Sequence, residues 1–269
     1  MRVTVLGEGD PEYAVVGGIH GDEPCGVRAV DALAAARPAV DRPVKLVVAN
    51  ERAVDRQVRY TDVDLNRSFP GDPDADAYER RLAHDLTAEL SGLTTLALHS
   101  TQSHGDPFGI VDGVDDFARD VAPGLGLDAL VTTEEFVEGR VFARAAPSIE
   151  VECGLQGTPE ATANAHAVVE AFLRTVGVLP GAPDATAVPA FRLERAIEKP
   201  PAERYDVHVR NFERVPRDAV FATADDRTFV AEDPFYPVLL SAYGYETLFG
   251  YAAAKVDTLS PPAERTRPE

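Results

Sequence analysis

An α/β domain followed by a small, mainly β one is the fold that this sequence of 269 residues predicts. Three observations predict it. Short apolar runs alternate with helical segments as far as Leu179, a stretch rich in Pro, Gly and Ala follows at 178–191, and short β-like segments separated by Pro and charged turns come after it. The expected domains are 1–180, which carries the chemistry, and 188–260.

The runs AVVGGI (14–19), VKLVVAN (44–50) and TTLAL (94–98) read as strands, since each is short, apolar and bounded by turn or polar residues. A helix is expected over 23–36, where Val27, Val30, Leu33 and Ala34 recur at spacings of three and four. Helices are also expected over 78–90 and 159–176; Thr158 is a natural N-cap for the second, and Pro159 stands at the first helical position, where its missing N–H costs nothing. YDVHV (205–209) and AVFAT (219–223) read as strands of the second domain, and PPAERTRPE (261–269) as a frayed tail.

Composition excludes several classes of function. No apolar run approaches the roughly 20 residues of a membrane span, and the N-terminus lacks the apolar stretch of a signal peptide, so no membrane partner and a cytoplasmic location are expected. A formal net charge of −19 repels phosphate backbones, which argues against a nucleic-acid partner. Only Lys45, Lys199 and Lys255 among the 26 basic residues are lysines, and acids are spread along the chain; this reads as the background of a salt-adapted protein. The oligomeric state is left open, a homo-oligomer included. Two cysteines make no disulfide framework, and Cys25 and Cys153 read as small buried thiols, with thiolate ligation reserved for an otherwise incomplete metal site.

The segment GGIHGDE places His20 and Glu23 directly after an apolar strand, between glycines that let the backbone turn sharply. An imidazole and a carboxylate brought together by that turn can each reach one zinc ion at about 2 Å. LALHS supplies a third ligand, His99, again where an apolar strand ends, and sites in open α/β sheets gather at the carboxyl ends of strands. His104 is the substitute for His99, whereas His84, His166 and His208 fall within helical or strand patterns of their own. Two histidines and a carboxylate leave the fourth zinc position open, the catalytic pattern, and a nearby carboxylate must then move protons. SIEVECG offers Glu150 and Glu152, which share one face of a strand; Glu152 lies nearer the strand end. In RYTDVDLNRSFPG (59–71), adjacent Asn66 and Arg67 suit a carboxylate, held by a bidentate guanidinium and an amide, and Arg59 offers a second cation.

Together, GGIHGDEPCG, RYTDVDLNRSFPG, LALHS and SIEVECG resemble the signature blocks of the succinylglutamate desuccinylase and aspartoacylase family, relatives of the zinc carboxypeptidases, over about residues 14–157. The resemblance implies a zinc-carboxypeptidase-like mixed sheet flanked by helices, with a small β-rich C-terminal domain that narrows the site. It implies one zinc ion per chain on His20, Glu23 and His99, and a catalytic Glu152, since the family's glutamate is followed by one residue and then Gly. It further implies a substrate carboxylate on Asn66 and Arg67, and Arg59 against the carbonyl oxygen. A tyrosine from PVLLSAYGYETLFGYAA (237–253) is expected at the pocket, Tyr245 before Tyr243, and a substrate-binding arginine at Arg140 or Arg144. The expected reaction is hydrolysis of the amide of an N-acyl amino acid or similar small carboxylate. The rivals are a carboxypeptidase acting on short peptides, a hydrolase of a small acyl ester or acyl diamine, and a catalytically silent binding module.

Overall fold

The computed structural model describes residues 1–133 and 147–261. Arg140 and Arg144 lie outside the described residues. In chain order the elements are β1 (Arg2–Leu6), β2 (Tyr13–Gly17), α1 (Pro24–Ala36), β3 (Val44–Val48), α2 (Glu51–Arg56), α3 (Tyr78–Leu90), β4 (Thr94–Thr101), β5 (Phe108–Val111), α4 (Asp116–Val121), β6 (Ala129–Thr132), β7 (Ser148–Leu155) and α5 (Pro159–Thr175). The remainder is β-structure: β8 (Val188–Glu198), β9 (Tyr205–Val207), β10 (Val220–Ala224), β11 (Arg227–Val230), β12 (Tyr236–Val238) and β13 (Leu248–Leu259).

Ten strands form one mixed sheet in the order β1-β3-β2-β4-β7-β5-β6-β8-β13-β12. β3, β2, β4 and β7 run parallel to one another, while β1, β5, β13 and β12 each introduce an antiparallel pairing. The segment after Leu179 therefore contributes three strands to this sheet, and β11-β10-β9 make a separate three-stranded one.

Parallel strands covered on both faces need apolar residues on both, and the side-chain period of two sorts them. Val15 of β2, Leu96 and Leu98 of β4, and Ile149 and Val151 of β7 pack with Val30 of α1 and Phe172 of α5. Ala14, Val16 and Ala97 point the other way and pack with Leu82 and Leu86 of α3. The same alternation carries His99, Glu150 and Glu152 to the α3 side. α5 starts where expected: Thr158 caps it by accepting from Ala161 N at 3.1 Å, with Pro159 in the first turn. His208 falls one residue beyond β9 rather than within a strand, because that strand pairs only as far as Val207.

The topology fixes where a site can form. β2 is flanked by β3 on one side and β4 on the other, so the chain reverses its direction of winding there, and a crevice opens at the carboxyl ends of the strands. His20 lies just past β2, and His99 near the end of β4 stands in register with Glu152 on β7. Gly18 has φ +71° and a Cβ on Gly21 would meet the Ala53 carbonyl carbon at 2.0 Å, so the turn that presents His20 requires both glycines.

A second buried carboxylate shapes the loop at 59–67. Glu79, fully buried at the start of α3, accepts five hydrogen bonds: Oε1 from Thr61 N and Oγ1 (both 2.7 Å) and from Asn50 Nδ2 (3.2 Å), and Oε2 from Asp62 N (3.0 Å) and Val63 N (3.2 Å). Burial alone would raise its pKa; the bonds from Thr61, Asn50 and Val63 outweigh this and hold it at about 2. A carboxyl so depressed stabilises the fold above the ordinary pKa near 4.5, and that stability is lost as pH falls toward 2. Glu79→Gln should therefore cost about 3 kcal/mol in urea unfolding at neutral pH, since it removes the charge that two edges of the loop share. The deficit should shrink below pH 4.5; equal stability of the two proteins at pH 7 would show that the loop is held by other means.

Candidate active site

His20 and His99 approach each other from two neighbouring parallel strands and meet over Glu23. His20 Nδ1 lies 2.8 Å from Glu23 Oε1, and His99 Nδ1 lies 3.1 Å from Glu23 Oε2. All three are buried, with exposures of 3%, 4% and 3% for His20, Glu23 and His99. The Ser100 amide donates to Glu23 Oε2 at 3.1 Å, so the carboxylate is fixed by backbone as well as by the imidazoles.

Asp64 sets the other side of His20, with Oδ1 3.1 Å from Nε2. It also caps the short 3₁₀ turn Leu65–Arg67 by accepting from Asn66 N at 2.8 Å, and it pairs with Arg59 at 3.1 Å. Arg59 reaches Glu23 Oε1 as well, at 3.4 Å. Asp64 is not among the site residues expected from the sequence. Its only signal was an acid two residues before Asn66, and the need of a ligating imidazole for a partner on its second nitrogen supplies the reason.

The electrostatics follow from burial against pairing. Burial opposes charge on Glu23, but the charge and hydrogen bond of His20, reinforced by His99, hold its pKa well below the carboxylate range. Asp64 is held down in the same way by His20, with help from Arg59 and Arg67. On His99, burial lowers the pKa, yet the Glu23 bond and charge, backed by Glu150 and Glu152, push it up to about 9. His20 is also raised against burial, by Glu23 and Asp64.

This donor set fits a divalent cation. When neutral His20 donates Nε2–H to Asp64, its Nδ1 lone pair faces Glu23 Oε1 at 2.8 Å, and either a second ring proton or a metal ion between them relieves the repulsion. The ligand atoms of His20, Glu23 and His99 lie within 4.8 Å of one another and could hold a metal ion. His99 Nε2 is buried without a hydrogen bond and has Glu150 Oε2 at 3.9 Å.

One cavity of about 430 Å³ is lined by the three potential ligands, Arg59, Asn66 and Arg67, Glu150 and Glu152, and Tyr245. Asn66 is buried with its Oδ1 unsatisfied, and the exposed Arg67 donates to the Asn66 carbonyl at 3.1 Å. Glu150 is buried, with Oε2 3.9 Å from His99 Nε2, whereas Glu152 is half-buried at the cavity. Gln156 closes the near edge by donating to the Asp22 carbonyl at 2.9 Å.

Two alternatives are separated from this cluster. His104 bonds Asp128 through Nε2 at 2.8 Å, sits edge-on to Phe108 and Phe212, and with Tyr243 lines a neighbouring cavity of about 920 Å³. The reason is the length of β4: it continues to Thr101, so that His99 ends in the cluster and His104 lies beyond it in the loop to β5. Cys25 and Cys153 are free and buried, and the Cys25 thiol donates to the His99 carbonyl at 3.4 Å behind the cluster.

Residues 10–176 match the succinylglutamate desuccinylase/aspartoacylase catalytic domain. The N-α-acetyl-L-2,4-diaminobutyric acid deacetylase of Halomonas elongata is 30% identical over 208 residues, which cover 67% of this chain; the chain spans 59% of that relative's length. Among solved structures, a succinylglutamate desuccinylase/aspartoacylase from Rhodobacter sphaeroides shares the fold at a TM-score of 0.78 and 19% identity, covering 95% of this chain and 89% of that one. Murine aminoacylase 3 shares it at 0.73 and 23%, covering 94% and 99%. No helix among the described residues is long and apolar enough to cross a membrane. With the family match covering more than half of the sequence, including the whole His20–Glu23–His99 cluster, the chain belongs to the succinylglutamate desuccinylase/aspartoacylase family of deacylating hydrolases.

Proposed function

We propose that this protein is a zinc-dependent amidase that removes the acyl group from a small N-acyl amino acid or similar N-acylated carboxylate, using one zinc ion per chain. The observation that carries the reading is the convergence of a His/Glu/His donor set, a half-buried Glu152 and the Arg59, Asn66 and Arg67 side chains on one cavity of about 430 Å³. That volume lies within the range of roughly 300–1,000 Å³ in which small molecules are bound. The relative's name supports an N-acetyl amino acid as substrate; the acyl group and the amino acid belong to the proposal.

Two nitrogens and a carboxylate leave a coordination position for solvent or substrate, which favours catalysis over a structural role. Zinc held there by His20, Glu23 and His99 would supply Lewis acidity toward the scissile carbonyl and make water nucleophilic near neutral pH. In this reading Glu152 takes the proton of the attacking water and delivers it to the leaving amine. Arg59, anchored by Asp64, faces the carbonyl oxygen as negative charge develops on it. Asn66 and Arg67 hold the substrate carboxylate, which an acidic protein needs local positive charge to attract. Tyr245 bounds the pocket from the C-terminal segment.

Three measurements test the reading. His20→Ala should lose zinc by elemental analysis, and a variant that retains one equivalent would remove His20 from the ligand set. Glu152→Gln should keep the metal and lose about 10²- to 10⁴-fold in kcat; undiminished turnover would assign the proton transfer to another group. Free amine should be released from N-acetyl or N-succinyl amino acids in molar salt and not after chelation. Preference for short peptides or esters would point to the rival hydrolases, and silence across the whole panel with zinc bound to a binding module.

A further inference from the structure

The segment at 239–247, between β12 and β13, consists of bends without regular structure, yet it brings Ser241, Gly244, Tyr245 and Glu246 to the candidate active-site cavity. A stretch of that kind tied down only at its ends samples many conformations, and ordering it on ligand binding costs entropy. Two buried polar side chains from elsewhere in the chain hold it instead.

Asn211 holds its start. Its Oδ1 accepts from Leu240 N at 2.8 Å, and its Nδ2 donates to Leu240 O at 3.0 Å and to Ser103 O at 2.7 Å, which ties the segment to the loop after β4. Lys199 holds its middle. This residue directly follows β8 and is only 8% exposed. Its Nζ donates to the carbonyl of Ala242 at 3.1 Å and to that of Tyr245, and lies 4.5 Å from the centroid of the Tyr205 ring. Its backbone N–H donates to Thr247 O at 2.8 Å. Two carbonyls and an aromatic face give the three donors of the ammonium somewhere to point.

Lysine is scarce in this chain, three among 26 basic residues, so a buried one whose hydrogen-bond partners are carbonyls is conspicuous. A compact ammonium can serve two carbonyls of one tight turn, a geometry for which a planar guanidinium fork is less suited. Neither Lys199 nor Tyr205 lines the candidate active-site cavity, so any effect of Lys199 there passes through the segment that it holds. Tyr245 is the point of transmission. Its carbonyl is one acceptor, and its half-buried ring packs edge-on against Tyr251, with centroids 6.2 Å apart, while lining the cavity.

We infer that Lys199 is a positioning residue: its buried ammonium fixes the turn at 242–245 and so holds Tyr245 against the substrate pocket. The inference rests on the functional reading given above. It is tested by comparing wild type, Lys199→Met, Lys199→Arg, Tyr245→Phe and the Lys199→Met/Tyr245→Phe double variant, by amide hydrogen exchange and by steady-state kinetics on the best N-acyl amino acid substrate.

In Lys199→Met, peptides covering 240–248 should exchange at least about tenfold faster, with 59–67 and the zinc content unchanged. KM should rise about tenfold with a smaller change in kcat, and Lys199→Arg, which keeps the charge but presents a planar fork, should recover only part of both effects. Tyr245→Phe should raise KM, and Lys199→Met should add little to it, because both act through one group. Unchanged exchange at 240–248 would overturn the inference. So would faster exchange spread over the whole chain, loss of zinc, or fully additive effects on KM. If wild type hydrolyses no substrate in the panel, it is the functional reading that fails; the exchange comparison alone still decides whether Lys199 fixes the turn.

Discussion

The functional end of this molecule is organised around one buried carboxylate, that of Glu23. A charge taken out of water costs several kcal/mol unless it is paired and hydrogen-bonded. Glu23 meets that demand with His20, His99, the Ser100 amide and the edge of Arg59. The partners come from the end of β2, the end of β4 and the loop at 59–67, so the pairing can form only when the parallel strands are in register. Conversely, the register of β4 against β7 is what sets Glu152 beside His99. The constraint therefore joins fold to chemistry: the arrangement that compensates a buried charge also gathers a donor set suited to a divalent metal.

Around that centre, the walls of the cavity are irregular loops held by buried polar groups from the rigid elements. Glu79 of α3 gathers the amides of 61–63, Asp64 braces His20 and Arg59, and Asn211 and Lys199 pin the segment at 239–247. Each such group loses hydration and recovers it only in one loop geometry. Partly satisfied arrangements are costly, which makes the loops far less adaptable than their lack of helix or strand implies. Precision of this kind is what a site needs when reacting groups must be placed within fractions of an ångström.

Charge poses a further problem that the same loops address. A chain with a formal charge of −19 opposes the approach of an anionic ligand. The described cavity wall nevertheless carries Arg59 and Arg67 on one short segment, with Asp64 paired to Arg59 between them. Asp22, Glu23, Asp64, Glu150, Glu152 and Glu246 line the same cavity, so the two guanidiniums favour an anion only in direct contact, through hydrogen-bonded pairing rather than through a net positive field.

Local pattern alone determined the helices α1, α3 and α5, because their three-and-four periodicity and the Thr158 cap are properties of neighbouring residues. It offered His20, Glu23 and His99, and the pair Glu150 and Glu152, as candidates, since each stands in or beside a short apolar run that meets glycine or polar residues; the family resemblance chose Glu152. It could not show that β8 and β13 complete the main sheet. Their sequences mix polar and apolar residues, and their pairing joins positions such as Val188 and Leu259. Nor could it separate His99 from His104, or Tyr245 from Tyr243, because residues a few positions apart carry the same chemistry and only their placement over a particular cavity tells them apart. Glu79, Asp64, Asn211 and Lys199 were silent for the same reason. A charged or amide side chain acquires meaning when burial removes its water, and burial is decided by tertiary structure.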